Sequence, residues 1–178
     1  MSLAEVGSRF VNGTTENVSG LGTIANKEGR VAGITAVRSD NPENFDGILG
    51  STITRFFDYT ISKTGLSFKR AKQLSNIINL EPIEAMVVKS DKASYMPNVN
   101  EFSIKLIADK RSGELLGAQA VGESSNIIQR INTIAAGLRE RMTVEKLLHL
   151  DLPYAPPYSS SIDPILTAAY KLKEKIKQ

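Results

Sequence analysis

Apolar residues recur at two different spacings along the chain, and the change of spacing separates predicted helices from predicted strands. Residues 23–37 place Ile24, Val31 and Ile34 at roughly helical spacing, which predicts a first helix. The segment "STITRFFDYTISKTG" (51–65) is instead rich in β-branched and aromatic residues and predicts one or two strands that end at Gly65. Three further runs predict strands over 82–90, 101–109 and 114–122. The "KRSG" turn between the last two runs is a hairpin signal.

Four more stretches predict helices. Ser67 and Thr143 are suitable N-caps, each followed by apolar residues at helical spacing, and Asp163-Pro164 predicts the start of a last helix over 164–176. Between them, residues 127–138 carry an apolar stripe of Ile127, Ile131, Ile134 and Leu138. Strands grouped by hairpins and flanked by helices predict an α+β fold with an antiparallel sheet. The stripes at Ile127–Leu138 and Ile165–Leu172 are apolar enough for both a core and a two-fold interface.

The segment "RSDNPENFDG" (38–47) interrupts this pattern. Asn, Asp, Pro and Gly dominate it, and Pro42 would stop a helix, so it predicts a connector and a domain boundary. Residues 4–46 are polar and glycine-rich before it, and partial disorder is expected there.

Composition excludes several classes of function. The chain of 178 residues is 41% hydrophobic and carries a net charge of +3, which fits a globular protein. The lysines at 171, 173, 175 and 177 indicate a solvated helix face rather than a nucleic-acid surface. The absence of cysteine excludes disulfides and thiol chemistry by this chain, and the single histidine, His149, argues against a protein-built metal site. No apolar run approaches the ~20 residues of a membrane span and no signal peptide opens the chain, so a cytoplasmic protein without membrane contact is expected.

Two motifs have a simpler interpretation than the one they first suggest. "GLGTIA" (20–25) matches Gly-x-Gly-x-x-Ala, but no buried strand precedes it, so a dinucleotide loop is not indicated. These small residues instead open a helix whose amides can approach a partly negative ligand atom. The serines at 159–161 with His149 and Asp151 lack a nucleophile elbow, and a serine run before a helix indicates capping rather than hydrolysis.

The stretch "DLPYAPPYSSSIDP" (151–164) holds two tyrosines in a proline-rich loop. Proline fixes φ, so the loop is predicted to be rigid and extended. A polyproline ligand is less favoured, because Pro-x-x-Pro spacing is missing and two predicted helices flank the loop. Tyr154 or Tyr158 could offer a phenol that donates to an anionic group, or could be a core or interface aromatic.

Four stretches together resemble the carboxyl-terminal part of flavin-dependent pyridine nucleotide-disulfide oxidoreductases, and within that family coenzyme A disulfide reductases and NADH oxidases. The matching stretches, in family order, are "LGTIANKEGRVAG" (21–33), "GILGSTITRFFDYTISKTGLS" (47–67), "GELLGAQAVGE" (113–123) and "MTVEKLLHLDLPYAPPYSSSIDP" (142–164). The resemblance implies that residues 4–46 end an FAD-binding domain and that 47–178 form the family's dimerisation domain.

The resemblance also implies site residues, cofactors and partners. Gly22, Thr23, Ile24 and Ala25 would approach the flavin edge. The histidine that glutathione- and lipoamide-type reductases carry in the 151–164 loop is missing. The coenzyme A branch instead uses two tyrosines that reach the partner's redox cysteine, and local match places them at Tyr154, in "LPYAPP", and Tyr95, in "ASYMPN". The complete enzyme would use FAD and NAD(P)H on a coenzyme A-type disulfide, as a homodimer.

The FAD and NAD domains of such an enzyme are missing from this sequence, so the chain alone is expected to be inactive and to bind no cofactor. Two hypotheses follow. In the first, the chain is the part of a flavoenzyme that dimerises and completes the active site. In the second, it is a stand-alone homodimeric assembly module that kept the fold and lost the chemistry.

Overall fold

The computed structural model describes residues 21–38, 45 and 47–178, and it divides into two units between Gly50 and Ser51. In the first unit, helix α1 spans Gly22–Val37. The helix predicted over 23–37 is therefore confirmed. None of its residues is buried, so its apolar side chains contribute little packing within the described part of this unit. The predicted connector at 38–47 lies largely outside the described residues.

The second unit is built on a five-stranded antiparallel sheet. The strands are β1 (Thr52–Phe56), β2 (Tyr59–Gly65), β3 (Pro82–Ser90), β4 (Glu101–Asp109) and β5 (Leu115–Gly122). Their order is β1-β2-β5-β4-β3, and every neighbouring pair is antiparallel. The predicted fold class is confirmed, and the segment 51–65 forms two strands rather than one.

Tight turns with left-handed backbone join the hairpins. Phe57, at φ 52°, turns β1 into β2, and Gly113, at φ 71°, lies in the turn from β4 to β5. The "KRSG" hairpin is therefore confirmed. Gly65 ends β2 at φ 67°, as predicted, and a Cβ there would lie 2.4 Å from the carbonyl oxygen of Leu116.

Four helices accompany the sheet, and three of them begin at the predicted caps. They are α2 (Phe68–Ile78), α3 (Ile127–Arg139), α4 (Val144–Leu148) and α5 (Pro164–Lys177). The side chains of Ser67, Thr143 and Asp163 accept hydrogen bonds from the amides of Arg70, Lys146 and Ile165, respectively. The helix starts are therefore specified locally by the sequence.

The core lies between the sheet and helices α3 and α5. Helix α3 packs on β5 and β2, and α5 packs on β3 and β4. Strand β4 buries Phe102, Ile104 and Leu106 at alternate positions. The helices bury the apolar stripes, whose exposed fractions are all 0–1%: Ile127, Ile131, Ile134, Leu138, Ile165 and Leu172. Each such side chain contributes about 1.5–3 kcal/mol relative to an exposed one.

This packing corrects the prediction that the two helical stripes also form a two-fold interface. Their side chains are already covered by the chain's own sheet, so no area remains for a partner. Part of the apolar surface that remains exposed lies on the face of the sheet opposite to the helices. Strand β2 shows the reason, because it turns Thr60, Ser62 and Thr64 towards the buried side and leaves Tyr59 and Ile61 exposed.

The lysine-rich end of α5 also has a structural role. Lys171 and Lys175 are exposed, as predicted, yet their ammonium groups donate to the carbonyls of Met86 at 3.4 Å and Glu84 at 2.7 Å. Both carbonyls belong to β3, which is an edge strand. The two ammonium groups of α5 therefore occupy acceptors of an edge strand, and covering an edge in this way hinders its pairing with other chains. No helix in the described ranges is long and apolar enough to cross a membrane.

Candidate active site

Two loops carry the tyrosines that the sequence predicted as site residues. Tyr95 lies in the connection between β3 and β4, and Tyr154 lies in the connection between α4 and α5. Tyr95 is 74% exposed and Tyr154 is 51% exposed, so neither is a core aromatic. The interpretation of Tyr154 as a core residue is therefore wrong.

The first loop, residues 91–100, is closed by the buried Asp91. The amide of Asp91 donates to the carbonyl of Asn100 at 2.9 Å, and the amide of Asn100 donates to Oδ1 of Asp91 at 3.1 Å. The second carboxylate oxygen accepts the hydroxyl of Ser124 at 2.7 Å. These bonds join the two ends of the loop, and Tyr95 projects from its middle.

The second loop, residues 149–163, is held by its prolines and by backbone hydrogen bonds. The amides of Tyr158 and Ser159 both donate to the carbonyl of Ala155, at 2.9 and 3.2 Å. The amide of Ala93 donates to the carbonyl of Pro156 at 3.1 Å, which ties this loop to the first one. Residues 156–158 form a turn, so the loop is not extended over its whole length, and its predicted rigidity stays a prediction.

The two tyrosine side chains lie together. The pKa of the Tyr154 phenol is raised above its ordinary value, first by partial desolvation, then by charge repulsion from Tyr95 and by a hydrogen bond with it. A tyrosine phenol is already protonated at neutral pH, and the raised pKa extends this hydrogen-bond donor state of Tyr154 to more alkaline pH. The structure thus brings together the two residues predicted as catalytic.

A buried arginine that the sequence reasoning did not single out lies beneath both loops. The side chain of Arg130, on α3, is only 5% exposed and forms an ion pair with Asp163, with Nε 3.1 Å from Oδ2. Its Nη2 donates to the carbonyl of Asp91 at 3.2 Å and to the hydroxyl of Ser159 at 3.3 Å. Its guanidinium also lies 5.0 Å from the ring centre of Phe102. The sequence did contain one indication of this burial. Position 130 lies three residues after Ile127 and four before Ile134, which places it on the same buried face of α3 as the Ile127–Leu138 stripe.

A groove of about 390 Å³ opens beside Tyr154. Its lining includes Gln129 and Thr133 of α3 and Leu152, Pro153 and Tyr158 of the second loop. The groove is mainly apolar, with two phenols and a few other polar groups in its lining.

The serine run does not form a hydrolase site. The hydroxyl of Ser159 donates to Oδ2 of Asp163 at 2.9 Å and to the carbonyl of Ser160 at 3.1 Å. His149 instead contacts Glu145 on α4 and is 76% exposed. The helix is capped by Asp163 and not by a serine, so the capping role predicted for the serine run is wrong; Ser159 instead bonds the capping carboxylate.

The four residues predicted to approach a flavin form the first turn of α1. The amides of Ile24 and Ala25 already donate to the carbonyl of Leu21, at 3.0 and 3.1 Å. Within this turn, Gly22 and Thr23 are the residues whose amides could face a ligand. A Cβ at Gly22 would meet nothing within 4 Å, so the surrounding space is open. In the described part of the chain, no group of three or more His, Asp and Glu side chains could hold a metal ion.

Comparison with known proteins matches residues 51–165 to the family described as pyridine nucleotide-disulphide oxidoreductase, dimerisation domain. The chain is 35% identical over 153 residues to the NAD(P)H coenzyme A polysulfide/persulfide reductase of Pyrococcus horikoshii, covering 86% of this chain and 33% of that protein. It is 30% identical over 146 residues to coenzyme A disulfide reductase of Staphylococcus aureus, covering 81% of this chain and 32% of that protein.

A solved structure agrees. The NAD-dependent persulfide reductase from A. fulgidus superposes with a TM-score of 0.81 at 32% identity, covering 90% of this chain and 29% of that chain. The chain thus spans about a third of the length of these relatives. The family resemblance carried by the four sequence stretches is confirmed. This chain belongs to the dimerisation-domain family of the pyridine nucleotide-disulphide oxidoreductases.

Proposed function

We propose that this chain dimerises and completes the active site of an FAD-dependent NAD(P)H oxidoreductase that reduces a coenzyme A-type disulfide or persulfide. In the proposed homodimer, Tyr154 and Tyr95 of one subunit face the redox cysteine of the other. The observation that carries the proposal is the pairing of these two phenols on loops that are distant in sequence and tied together. Relatives that act on coenzyme A disulfides and persulfides support the substrate class.

The chemistry proposed for the tyrosines is donation to a departing thiolate. When a cysteine thiolate attacks a disulfide, the S–S bond breaks, a new mixed disulfide forms, and the other sulfur leaves with the electron pair. A phenol that is protonated at neutral pH can donate its hydrogen to this sulfur as negative charge develops. Tyr95 would hold the hydroxyl of Tyr154 in place and return the proton to it from solvent. Neither tyrosine is oxidised or reduced in this step.

The start of α1 fits the edge of a flavin. No acidic side chain lies in its first turn, Leu21 provides no side-chain cap, and the space around Gly22 is open. The amides of Gly22 and Thr23 could therefore face a carbonyl oxygen of the isoalloxazine ring. When bound, FAD would supply electron transfer from NAD(P)H to the redox cysteine. The lack of buried residues on α1 is consistent with a helix that packs against a domain not contained in this chain.

A grafted enzyme tests the proposal. This chain replaces the matching third of the P. horikoshii relative, so that the FAD and NAD(P)H sites are present, and NAD(P)H oxidation with coenzyme A disulfide is followed. We expect Tyr154→Phe to lower kcat by about 10²-fold, the lower end of what a positioned proton donor contributes. Tyr158→Phe is the matched control, since it removes an exposed hydroxyl from the same loop. We expect it to change kcat less than about twofold.

The same experiment separates the proposal from the assembly-module hypothesis. A module that lost the chemistry would give a graft that binds FAD but shows equal rates for wild type, Tyr154→Phe and Tyr95→Phe. That result would remove the catalytic role from both tyrosines. It would leave the fold and the family membership unchanged.

A further inference from the structure

We propose that Arg130 is the positioning residue of the tyrosine pair, because its guanidinium fixes the loop that carries Tyr95 against the loop that carries Tyr154. The inference rests on the proposed function, since the pair has a task only at a shared active site. The contacts that support it all lie within a single chain and do not involve a second subunit.

The contacts of Arg130 divide between the two loops. Towards the first loop, Nη2 donates to the carbonyl of Asp91 at 3.2 Å. Towards the second, the same nitrogen donates to Oγ of Ser159 at 3.3 Å, and Nε donates to both carboxylate oxygens of Asp163 at 3.1 and 3.2 Å. A third direction is fixed by Nη1, which donates to the carbonyl of Asn126 on its own helix at 3.4 Å. One rigid planar group therefore sets the distance between both loops and α3.

The burial of Arg130 supports a geometric role. A guanidinium in the core loses its hydration, and an apolar residue of similar size at such a position is often equally stable or more so. The stripe around it consists of isoleucines and a leucine, so an apolar residue would suit the helix face. An arginine offers what they cannot, namely five donors in a fixed fork. Here the fork reaches acceptors on three separate segments.

The acceptors are themselves fixed by other bonds. Asp163 caps α5 through the amide of Ile165 at 2.9 Å, so the guanidinium locks the second loop to the start of that helix. The carboxylate of Asp91 accepts hydrogen bonds from the amide of Asn100 and the hydroxyl of Ser124. Its backbone carbonyl accepts the hydrogen bond from Arg130. A lysine at position 130 could keep the charge near Asp163, but its single ammonium could not span both loops in one plane.

The test reads the tyrosine pair directly in the full chain. Tyrosine labelled with ¹³C at the ring carbon that bears the hydroxyl is titrated by NMR, with Tyr154 assigned from Tyr154→Phe. Tyr95→Phe gives the pKa of Tyr154 without its partner. We expect Arg130→Lys to lower the pKa of Tyr154 to that reference value and to have no further effect in the Tyr95→Phe background. The matched control is Arg141→Lys, since Arg141 also pairs with a carboxylate, Glu114, at 2.9 Å, on a different part of the fold. We expect it to leave the titration of Tyr154 unchanged.

A folded Arg130→Lys chain in which Tyr154 titrates as in wild type would overturn the proposal. If Arg130→Lys does not fold, the double variant Ser159→Ala/Asp163→Asn decides, because it removes the hydroxyl and the charged partner of Arg130 on the second loop, while an asparagine at position 163 can still cap α5. A lower pKa of Tyr154 in this double variant supports positioning by Arg130, and an unchanged pKa overturns it. These readouts do not depend on activity. Failure of the proposed function would appear instead as an unchanged kcat in the grafted Tyr154→Phe enzyme.

Discussion

At the scale of single residues, the protonation of Tyr154 links structure to the proposed chemistry. Its phenol is a donor only while protonated, and its raised pKa extends that state to higher pH than for an ordinary tyrosine. Activity that depends on this donor should therefore persist through neutral pH and fall as the pH rises through the pKa of Tyr154.

Removing the hydroxyl of Tyr95 should shift the alkaline limb of the pH–activity profile. Tyr95→Phe abolishes two of the three effects that raise the pKa of Tyr154, and partial desolvation remains. We therefore expect the alkaline limb of kcat/KM in the grafted enzyme to shift to lower pH, while the acidic limb stays in place. Full pH profiles of wild type and Tyr95→Phe check this. An alkaline limb at the same pH in both would show that Tyr154 does not set it.

Asp109, at the end of β4, makes a comparable link between protonation and stability. Burial acts to raise the pKa of its carboxyl group, but hydrogen bonds from the Ser112 hydroxyl and from the amides of Glu81, Ser112 and Arg111 outweigh burial and lower it. The bonds from the amide of Glu81 and the Ser112 hydroxyl measure 2.8 and 2.7 Å. The carboxylate thus holds the β4–β5 turn to the start of β3.

We expect Asp109→Asn to lower the free energy of unfolding by about 1.5–3 kcal/mol at neutral pH, since amide donors lose a charged acceptor. In wild type, the contribution of the lowered pKa is present above the ordinary value of 3.8 and is lost as the pH falls through the lower value of the folded state. The stability of the variant should therefore depend less on pH in this acidic range. Urea unfolding from pH 2 to 7 measures this, with the exposed Asp151→Asn as control. Parallel pH curves for wild type and Asp109→Asn would contradict the prediction.

At the scale of the elements, local signals in the sequence were sufficient to place most helices and strands. The caps at Ser67, Thr143 and Asp163 and the strands at 82–90 and 101–109 were predicted because each depends on neighbouring residues. The pairing of Tyr95 with Tyr154 came only through family resemblance. The role of Arg130 was missed because its acceptors, Asp91, Ser159 and Asp163, are distant in sequence and periodicity carries no information about them.

The close approach of β5 to β4 is a packing feature that a single glycine permits. A Cβ at Gly122 would lie 2.4 Å from Cβ of Phe102 and 2.7 Å from the carbonyl oxygen of Glu101. Because both atoms belong to the sheet, Gly122→Ala should force the strands apart and lower the free energy of unfolding by about 1–3 kcal/mol, as in other overpacked cores.

Gly29→Ala is the matched control for this prediction. A Cβ at Gly29 would meet nothing within 4 Å, and alanine favours a helix over glycine by about 0.8–1 kcal/mol. We expect Gly29→Ala to leave the unfolding of the sheet domain unchanged and to increase helical circular dichroism slightly. Equal unfolding midpoints for Gly122→Ala and wild type would contradict the prediction for Gly122, because they would show that β5 accommodates the methyl group without loss of stability.

At the scale of the whole molecule, periodicity identifies an apolar face but not the molecule that covers it. The Ile127–Leu138 and Ile165–Leu172 stripes looked suitable for a core and for an interface, and the sheet covers both of them. Apolar side chains outside these buried stripes stay exposed, including Phe56 at 63% on β1 and Ile61 at 41% on β2. Any interface between two copies must therefore use surface outside the two helical stripes.

The oligomeric state tests this separation of core from interface. We expect light scattering of the chain at micromolar concentration to give twice its mass of 19.4 kDa. Leu172→Ala should lower the free energy of unfolding by about 2–5 kcal/mol, as truncations of buried leucines do. It should not change the dimer dissociation constant at temperatures where the chain stays folded, because Leu172 is 0% exposed within a single chain. A monomeric wild type would contradict the proposed homodimer. If a folded Leu172→Ala chain were monomeric while wild type is dimeric, the α5 stripe would belong to the interface after all. The side chains of this helix would then contact the second copy in the dimer and not only the chain's own sheet.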